Sequence, residues 1–410
     1  MSILLPADFT NRIKTQFKEQ SVGFLAAIDN EPTLSIRINP RKIAVSNASF
    51  ESVPWCKLGF YLVERPHFTI DPWFQAGAYY VQEPSSMFLQ HILSFLYSDY
   101  QPDSVLDLCA APGGKTTLLA SFFDQQTFIV ANEVVQSRAT LLTENIDKWG
   151  ADNVIVTNSD PRNFSRIPNF FDLILVDAPC SGEGLFRKDP DSVTQWSTNN
   201  ANLCSQRQKR ILMDVWDSLK ADGILIYSTC TFNPGENEEN IAWLATQTDF
   251  ESVTIPVDNS WGIEEIELLG IKGYRFAYHK TKGEGFFVSV IRKKGEAENT
   301  SNKSKKQSLG SPIPKNLVER VKKLVIKGNQ FVLNETVFNT TTNLGNSASL
   351  LGSLNIVRPG CKIATIVRDE LKPNHSLALS TSFNYHNFER VGFNNEQINL
   401  FLRRENFQNP

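Results

Sequence analysis

Four side chains capable of nucleophilic or acid–base chemistry sit in loops that follow short apolar runs. Asp177 and Cys180 come just after residues 173–176 (LILV), Cys230 follows residues 223–228, and Lys115 lies in a glycine-rich loop after residues 105–108. An apolar run bounded by turn residues reads as a strand buried on both faces of a parallel sheet. In an open α/β sheet, ligands bind beyond the carboxyl ends of the strands. Asp177 is therefore a candidate acid or hydrogen-bond acceptor, and Cys180 a candidate nucleophile. A lone buried cysteine commonly serves only as a small apolar side chain, so its neighbours decide its role.

Those neighbours follow from the elements. Strands are expected over residues 105–108, 128–132, 154–157, 173–176 and 223–228, with helices over 114–123, 136–149, 204–220 and 235–245. Regular β/α alternation implies an α/β fold with a doubly wound parallel sheet and right-handed crossovers. In the strand order 3-2-1-4-5, the fourth and fifth strands are neighbours about 4.8 Å apart. Cys180 and Cys230 then face one pocket, beside whatever is held over the first strand. Further strands are expected over 253–257 and 285–291, the last antiparallel at the far edge.

Two ligand classes could use the loop DLCAAPGGKT, residues 107–116. A nucleoside triphosphate would need a glycine separated by four residues from the Gly-Lys pair, where Cys109 stands instead. A dinucleotide or S-adenosylmethionine fits better: Glu133 ends the second strand about 20 residues after the glycine pair, where an acid binds ribose hydroxyls. Asp160 ends the third strand in the corresponding place. His91 lies on the apolar face of a helix, with Ser85 or Ser86 as its cap, and reads as a core histidine.

The 410 residues imply several domains: a small α+β module over 1–71, the alternating unit over 72–292, a polar linker over 293–312, and a second small α+β domain over 313–410. Hydrophobic content of 41% and charged content of 21% describe a globular chain, and no apolar run reaches the roughly 20 residues needed to cross a bilayer. The start lacks the pattern of a signal peptide, so the expected location is the cytoplasm, with no membrane partner. Six cysteines without CxxC or Cys/His spacing imply reduced thiols and no metal. A net charge of −3 does not announce a nucleic-acid binder.

The motifs LDLCAAPGGKT (106–116), VDAPCSGEGLFRKDPD (176–191) and YSTCTFNPGENEENI (227–241) closely resemble those of the Nol1/Nop2/Sun family of RNA cytosine-C5 methyltransferases. YYVQEPSSM (79–87) and KGEGFFVSVIRK (282–293) resemble its bacterial 16S ribosomal-RNA branch, and VRPGCKIA, LKPNHSLALS and INLFLRRE in the tail are similar to that branch's PUA-like region. The resemblance implies a Rossmann-like class I methyltransferase core, S-adenosylmethionine as cofactor, and ribosomal RNA or a small-subunit particle as partner; the oligomeric state does not follow from the sequence, and a monomer is the default expectation. It also implies that Cys230 is the nucleophile adding to cytosine C6, that Cys180 assists product release, and that Asp177 holds the base near N3. Lys115 would be a charge partner in the site. Cofactor contacts carry over to Cys109, Ala110, Ala111, Pro112, Gly113, Gly114 and Lys115, and to Glu133, Arg138, Asp160 and Asp177. Arg187, Lys188, Arg207, Lys209 and Arg210 are candidate RNA-backbone contacts. The chain departs from the pattern at Tyr278, at Asp160-Pro161-Arg162, and in ending soon after FLRRE, where the branch usually continues; a short C-terminal domain is expected.

Overall fold

The computed structural model describes residues 4–44, 50–295, 310–342 and 352–406. The chain opens with helices α1 (Ala7–Phe17) and α2 (Ser21–Ala27), followed by a three-stranded antiparallel sheet. Its strands are β1 (Ser35–Ile38), β2 (Gly59–Tyr61) and, after the short helix α3 (Pro72–Gln75), β3 (Tyr79–Val81), in the order β2-β1-β3. β3 lies beyond the 71/72 boundary drawn from sequence. The N-terminal sheet thus takes its third strand from chain assigned to the next domain, a long-range pairing that local composition does not record.

Helix α4 (Phe88–Leu96) leads into the central sheet. Neither Ser85 nor Ser86 caps it; instead the Glu83 carboxylate accepts from both of their backbone N–H groups at 2.8 Å. His91 is a satisfied packing residue: its Nε2 contacts Pro256 O at 2.6 Å and its ring meets Trp261 edge-on.

Strands β4 (Ser104–Asp107), β5 (Phe128–Asn132), β6 (Val154–Thr157), β7 (Phe171–Asp177) and β8 (Leu219–Thr229) pair in parallel in the spatial order β6-β5-β4-β7-β8, the expected 3-2-1-4-5. Both faces are buried. Leu173, Leu175, Ile224 and Ile226 join one core with helices α4, α5 (Gly114–Phe122) and α6 (Gln136–Trp149), while Ile174, Val176, Leu225 and Tyr227 join a second. The second core is covered by α8 (Thr198–Trp216), which follows the short α7 (Pro190–Gln195), and by α9 (Glu238–Leu244). α8 starts earlier than the sequence suggested because Ser197 caps it, accepting from Asn200 N at 3.1 Å. α9 starts later, because residues 234–237 form turns around Glu236.

Beyond β8 the expected strand over 253–257 is instead β9 (Phe250–Ser252), which pairs with β12 (Phe286–Lys293); Pro256, with no N–H to donate, stands in the irregular stretch that follows. β12 is antiparallel to β8 but is not the edge. A hairpin of β10 (Glu264–Leu268) and β11 (Ile271–Phe276) continues the sheet past it.

The linker expected over 293–312 falls largely outside the described residues; Lys293 belongs to β12 and Ser311 bridges to Val332. After helix α10 (Val318–Lys322), four antiparallel strands form a separate sheet in the order β13-β14-β16-β17: β13 (Asn329–Leu333), β14 (Thr336–Thr340), β16 (Cys361–Val367) and β17 (Glu370–Pro373). The remaining strand, β15 (Ile356–Arg358), leaves this domain and pairs with the outer edge of β6. Among the described residues no helix is long and apolar enough to cross a membrane.

Candidate active site

The carboxyl ends of β4, β7 and β8 deliver Asp107, Asp177 and Cys230 to one cavity of about 360 Å³. Its walls also include Cys109, Ala110, Ala111, Pro112, Gly114, Lys115, Arg138 and Lys188, with Tyr80 to Glu83 from the N-terminal side and Glu284 to Phe286 from β12 and its approach. The loop from β4 to α5 turns at Gly113, whose φ of 110° suits glycine, and its first helical turn offers backbone N–H groups to a ligand.

Lys115 and Asp177 are joined: Nζ lies 2.6 Å from Oδ2, while Ser228 Oγ donates to Oδ1 at 2.7 Å. Burial alone would lower the Lys115 ammonium, but Asp177, the hydrogen bond to it, and Asp107 more than offset that, and the net shift is upward. This lysine is committed to a carboxylate and not free to cradle a phosphate, which removes the main attraction of the triphosphate reading.

Cys180 Sγ and Cys230 Sγ lie 3.1 Å apart, although only Cys230 lines the cavity. The Cys180 thiol is pushed well above its ordinary value, first by the hydrogen bond to Cys230, then by burial and by Cys230 and Glu236 as nearby negative groups. The Cys180 thiol is thereby held in its protonated form. The loops carrying them are clamped by Glu236, which accepts from Ser181 N at 2.9 Å, from Ser181 Oγ, and from Gln208 Nε2 at 2.9 Å. Burial pushes this carboxyl up to about 7 against those hydrogen bonds.

Asp107 is fully buried. Thr116 Oγ1 donates to its Oδ2 at 2.6 Å, and its Oδ1 has no partner. An orphaned carboxylate oxygen in a cavity wall calls for a donor from a ligand.

The other expected cofactor residues divide. Arg138 donates to Ala111 O at 2.8 Å and approaches Glu133 at 3.5 Å; Glu133 is buried after β5 and accepts from Val135 N. Glu133, Gly113 and Asp160 do not line the cavity. Asp160 caps the turn Pro161–Arg166 through Arg162 N at 3.1 Å.

Two family models match the chain: one described as "16S rRNA methyltransferase RsmB/F" over residues 96–292, and "N-terminal domain of 16S rRNA methyltransferase RsmF" over residues 5–84. "Ribosomal RNA small subunit methyltransferase F" of Pectobacterium atrosepticum is 35% identical over 310 residues, covering 71% of this chain and 63% of that protein. The protein of the same name from Vibrio cholerae is 35% identical over 286 residues, covering 67% of this chain and 60% of that one. A solved "methyltransferase homolog protein" from Pyrococcus horikoshii is 30% identical with a TM-score of 0.59, covering 70% of this chain and 94% of that one. The chain belongs to the RsmB/F methyltransferase family. It spans less than two thirds of the length of these curated relatives.

Against that family background, several site residues escaped the sequence reading. Ser228, Ser181 and Glu236 were quoted inside motifs without a role, because a buried acid between two loops has no local signature. The basic residues assigned to RNA fare unevenly. Arg187 is not available for RNA: it is buried in an ion pair with Glu284 at 3.0 Å and lies over the Tyr278 ring. Arg210 approaches Asp214 at 3.8 Å and Lys209 lies over Trp243, while Lys188 stands in the cavity wall.

Proposed function

We propose that the protein is an S-adenosylmethionine-dependent methyltransferase that acts on C5 of a cytosine in 16S rRNA through a covalent Cys230–C6 adduct. The observation that carries this reading is Cys230 in one cavity with the Lys115–Asp177 ion pair, its sulfur backed at 3.1 Å by that of Cys180. Cytosine C5 is a weak nucleophile, and addition of a thiolate at C6 makes it enamine-like.

When bound, S-adenosylmethionine supplies the electrophilic methyl group. The unpartnered Asp107 Oδ1 suits its ammonium, and the Ala110–Lys115 loop and Arg138 are read as further contacts, while Glu133 and Asp160, which follow β5 and β6 outside the cavity wall, are read as contacts of the part of the cofactor that projects beyond it. Cys230 Sγ, as thiolate, bonds to C6 while Asp177, beside the proton-bearing Lys115, faces the base near N3. After C5 has taken the methyl group, a base removes its proton, the C6–sulfur bond breaks, and Cys230 leaves as thiolate. Cys180, protonated and in contact with that sulfur, donates a hydrogen bond to the departing group. The base must be flipped or single-stranded to reach the cavity. We read the modules on either side of the catalytic unit as RNA-docking domains, the C-terminal one PUA-like, and the protein as a cytoplasmic monomer.

The test uses purified protein, labelled cofactor and 16S rRNA lacking the modification, with nucleosides identified by mass spectrometry. The wild type should yield 5-methylcytosine, and Cys230→Ala should lose activity by on the order of a thousandfold or more. Cys180→Ala should accumulate an RNA adduct that survives a denaturing gel. Normal turnover by Cys230→Ala would refute the mechanism.

A further inference from the structure

A second, smaller crevice of about 160 Å³ lies where the N-terminal module meets the catalytic domain. Its walls come from α3 and β3 on one side and α6 on the other: Phe74, Tyr79, Tyr80, Asn145, Lys148 and Trp149. It adjoins the catalytic cavity, because Tyr80 and Val81 line both. The Tyr80 ring is fixed as the partition by its hydroxyl, which donates to Pro112 O at 3.3 Å, and by its edge-on contact with Trp149. Asn145 donates to the same carbonyl at 2.8 Å from the other domain.

The chemistry of the crevice is that of a stacking site. Phe74 and Tyr80 are partly exposed aromatic walls, and Trp73 on α3 is 61% exposed. At the rim Lys148 Nζ lies 4.4 Å from the Phe74 ring centroid, a cation held where a phosphate would pass. Single-stranded nucleic acid is gripped in this way, by bases on aromatic faces with cations along the backbone. The module must do something for an RNA enzyme, and the basic residues expected to carry RNA include Arg187, which is buried in an ion pair.

We propose that this crevice receives an unpaired base of the RNA adjacent to the cytosine in the catalytic cavity, stacked on Phe74 and Tyr80 with its phosphate near Lys148. The proposal rests on the reading of the catalytic cavity given above. It makes the N-terminal module part of the substrate site: one nucleotide enters the cavity and its neighbour is held across Tyr80.

The test uses short single-stranded RNAs with one cytosine, carrying 2-aminopurine or an abasic nucleotide on either side of it. Wild type, Phe74→Leu and Lys148→Gln are titrated for fluorescence and affinity, and methyl transfer is followed on the same RNAs. Quenching is expected at one flanking position, and an abasic nucleotide there should weaken wild-type binding about tenfold. That loss should shrink to within about twofold in either variant, so that folding of one variant suffices. An equal abasic loss in wild type and variants would overturn the proposal and leave the crevice to a protein side chain. Absence of methyl transfer to RNAs that bind and quench would instead remove the proposed reaction while the stacking site stood.

Discussion

Asp107 is the residue whose ionisation should be visible from outside. Burial raises its carboxyl to about 7, the Thr116 hydrogen bond opposes that, and Asp177 adds to it. A ligand ammonium at Oδ1 pairs only with the ionised form. Affinity for S-adenosylmethionine, measured by calorimetry, should therefore rise by up to about eightfold from pH 6 to 7.5, the change in ionised fraction of a group titrating near 7. Asp107→Asn should bind weakly at both values. The sign for folding is the reverse: a carboxyl with a raised folded pKa binds more protons folded than unfolded, so the ligand-free fold loses stability as pH climbs from about 4 to 7. The thiols and Asp177 were legible in the sequence because strand-end logic needs only apolar runs and the residues after them, whereas Lys115 was legible only as a charge partner in the site and its pairing with Asp177 was not. The Glu236 clamp and the buried Arg187 were not, since both depend on which loops meet.

At the scale of elements, the parallel register of Val176 with Tyr227 and Asp177 with Ser228 is what brings the two cysteine loops together. The loop from β4 to α5 is held from the N-terminal sheet. Arg37 on β1, fully buried, donates to Gly114 O at 3.1 Å, to Thr117 Oγ1 at 2.6 Å and to Gln82 Oε1 at 2.8 Å. Arg37→Met removes those donors and strands their acceptors, so denaturant unfolding should show a loss of about 2–4 kcal/mol, with roughly tenfold weaker cofactor binding by calorimetry. Unchanged cofactor affinity in a folded variant would show that the loop holds its shape unaided. The five parallel strands were readable because burial on both faces makes them near-continuous apolar runs. The β10–β11 hairpin was not: residues 264–268 read EEIEL and stand at the sheet edge, where little apolar pattern is needed.

At the scale of the whole molecule, the chain is tied at both sides of the central sheet. Arg358, the last residue of β15, reaches Asp147 Oδ1 at 2.7 Å and Val154 O at 2.6 Å, while Asp152 accepts from Ser380 Oγ at 2.8 Å and Asn339 Nδ2 at 3.1 Å. Arg358→Ala leaves Asp147 with only the Ser376 hydroxyl and no cation, and should cost about 3 kcal/mol, read by urea unfolding, with faster hydrogen exchange at Val154–Thr157. Nothing in the three residues of β15 announced that the C-terminal domain returns to the catalytic sheet. That return sets an order of events during synthesis. The edge of β6 leaves the ribosome about 200 residues before β15, and at roughly 5–20 residues per second it waits on the order of 10–40 s for its partner. For that interval a nascent chain exposes an unpaired strand edge, so the catalytic sheet is most prone to aggregate before the domain that covers it has been made.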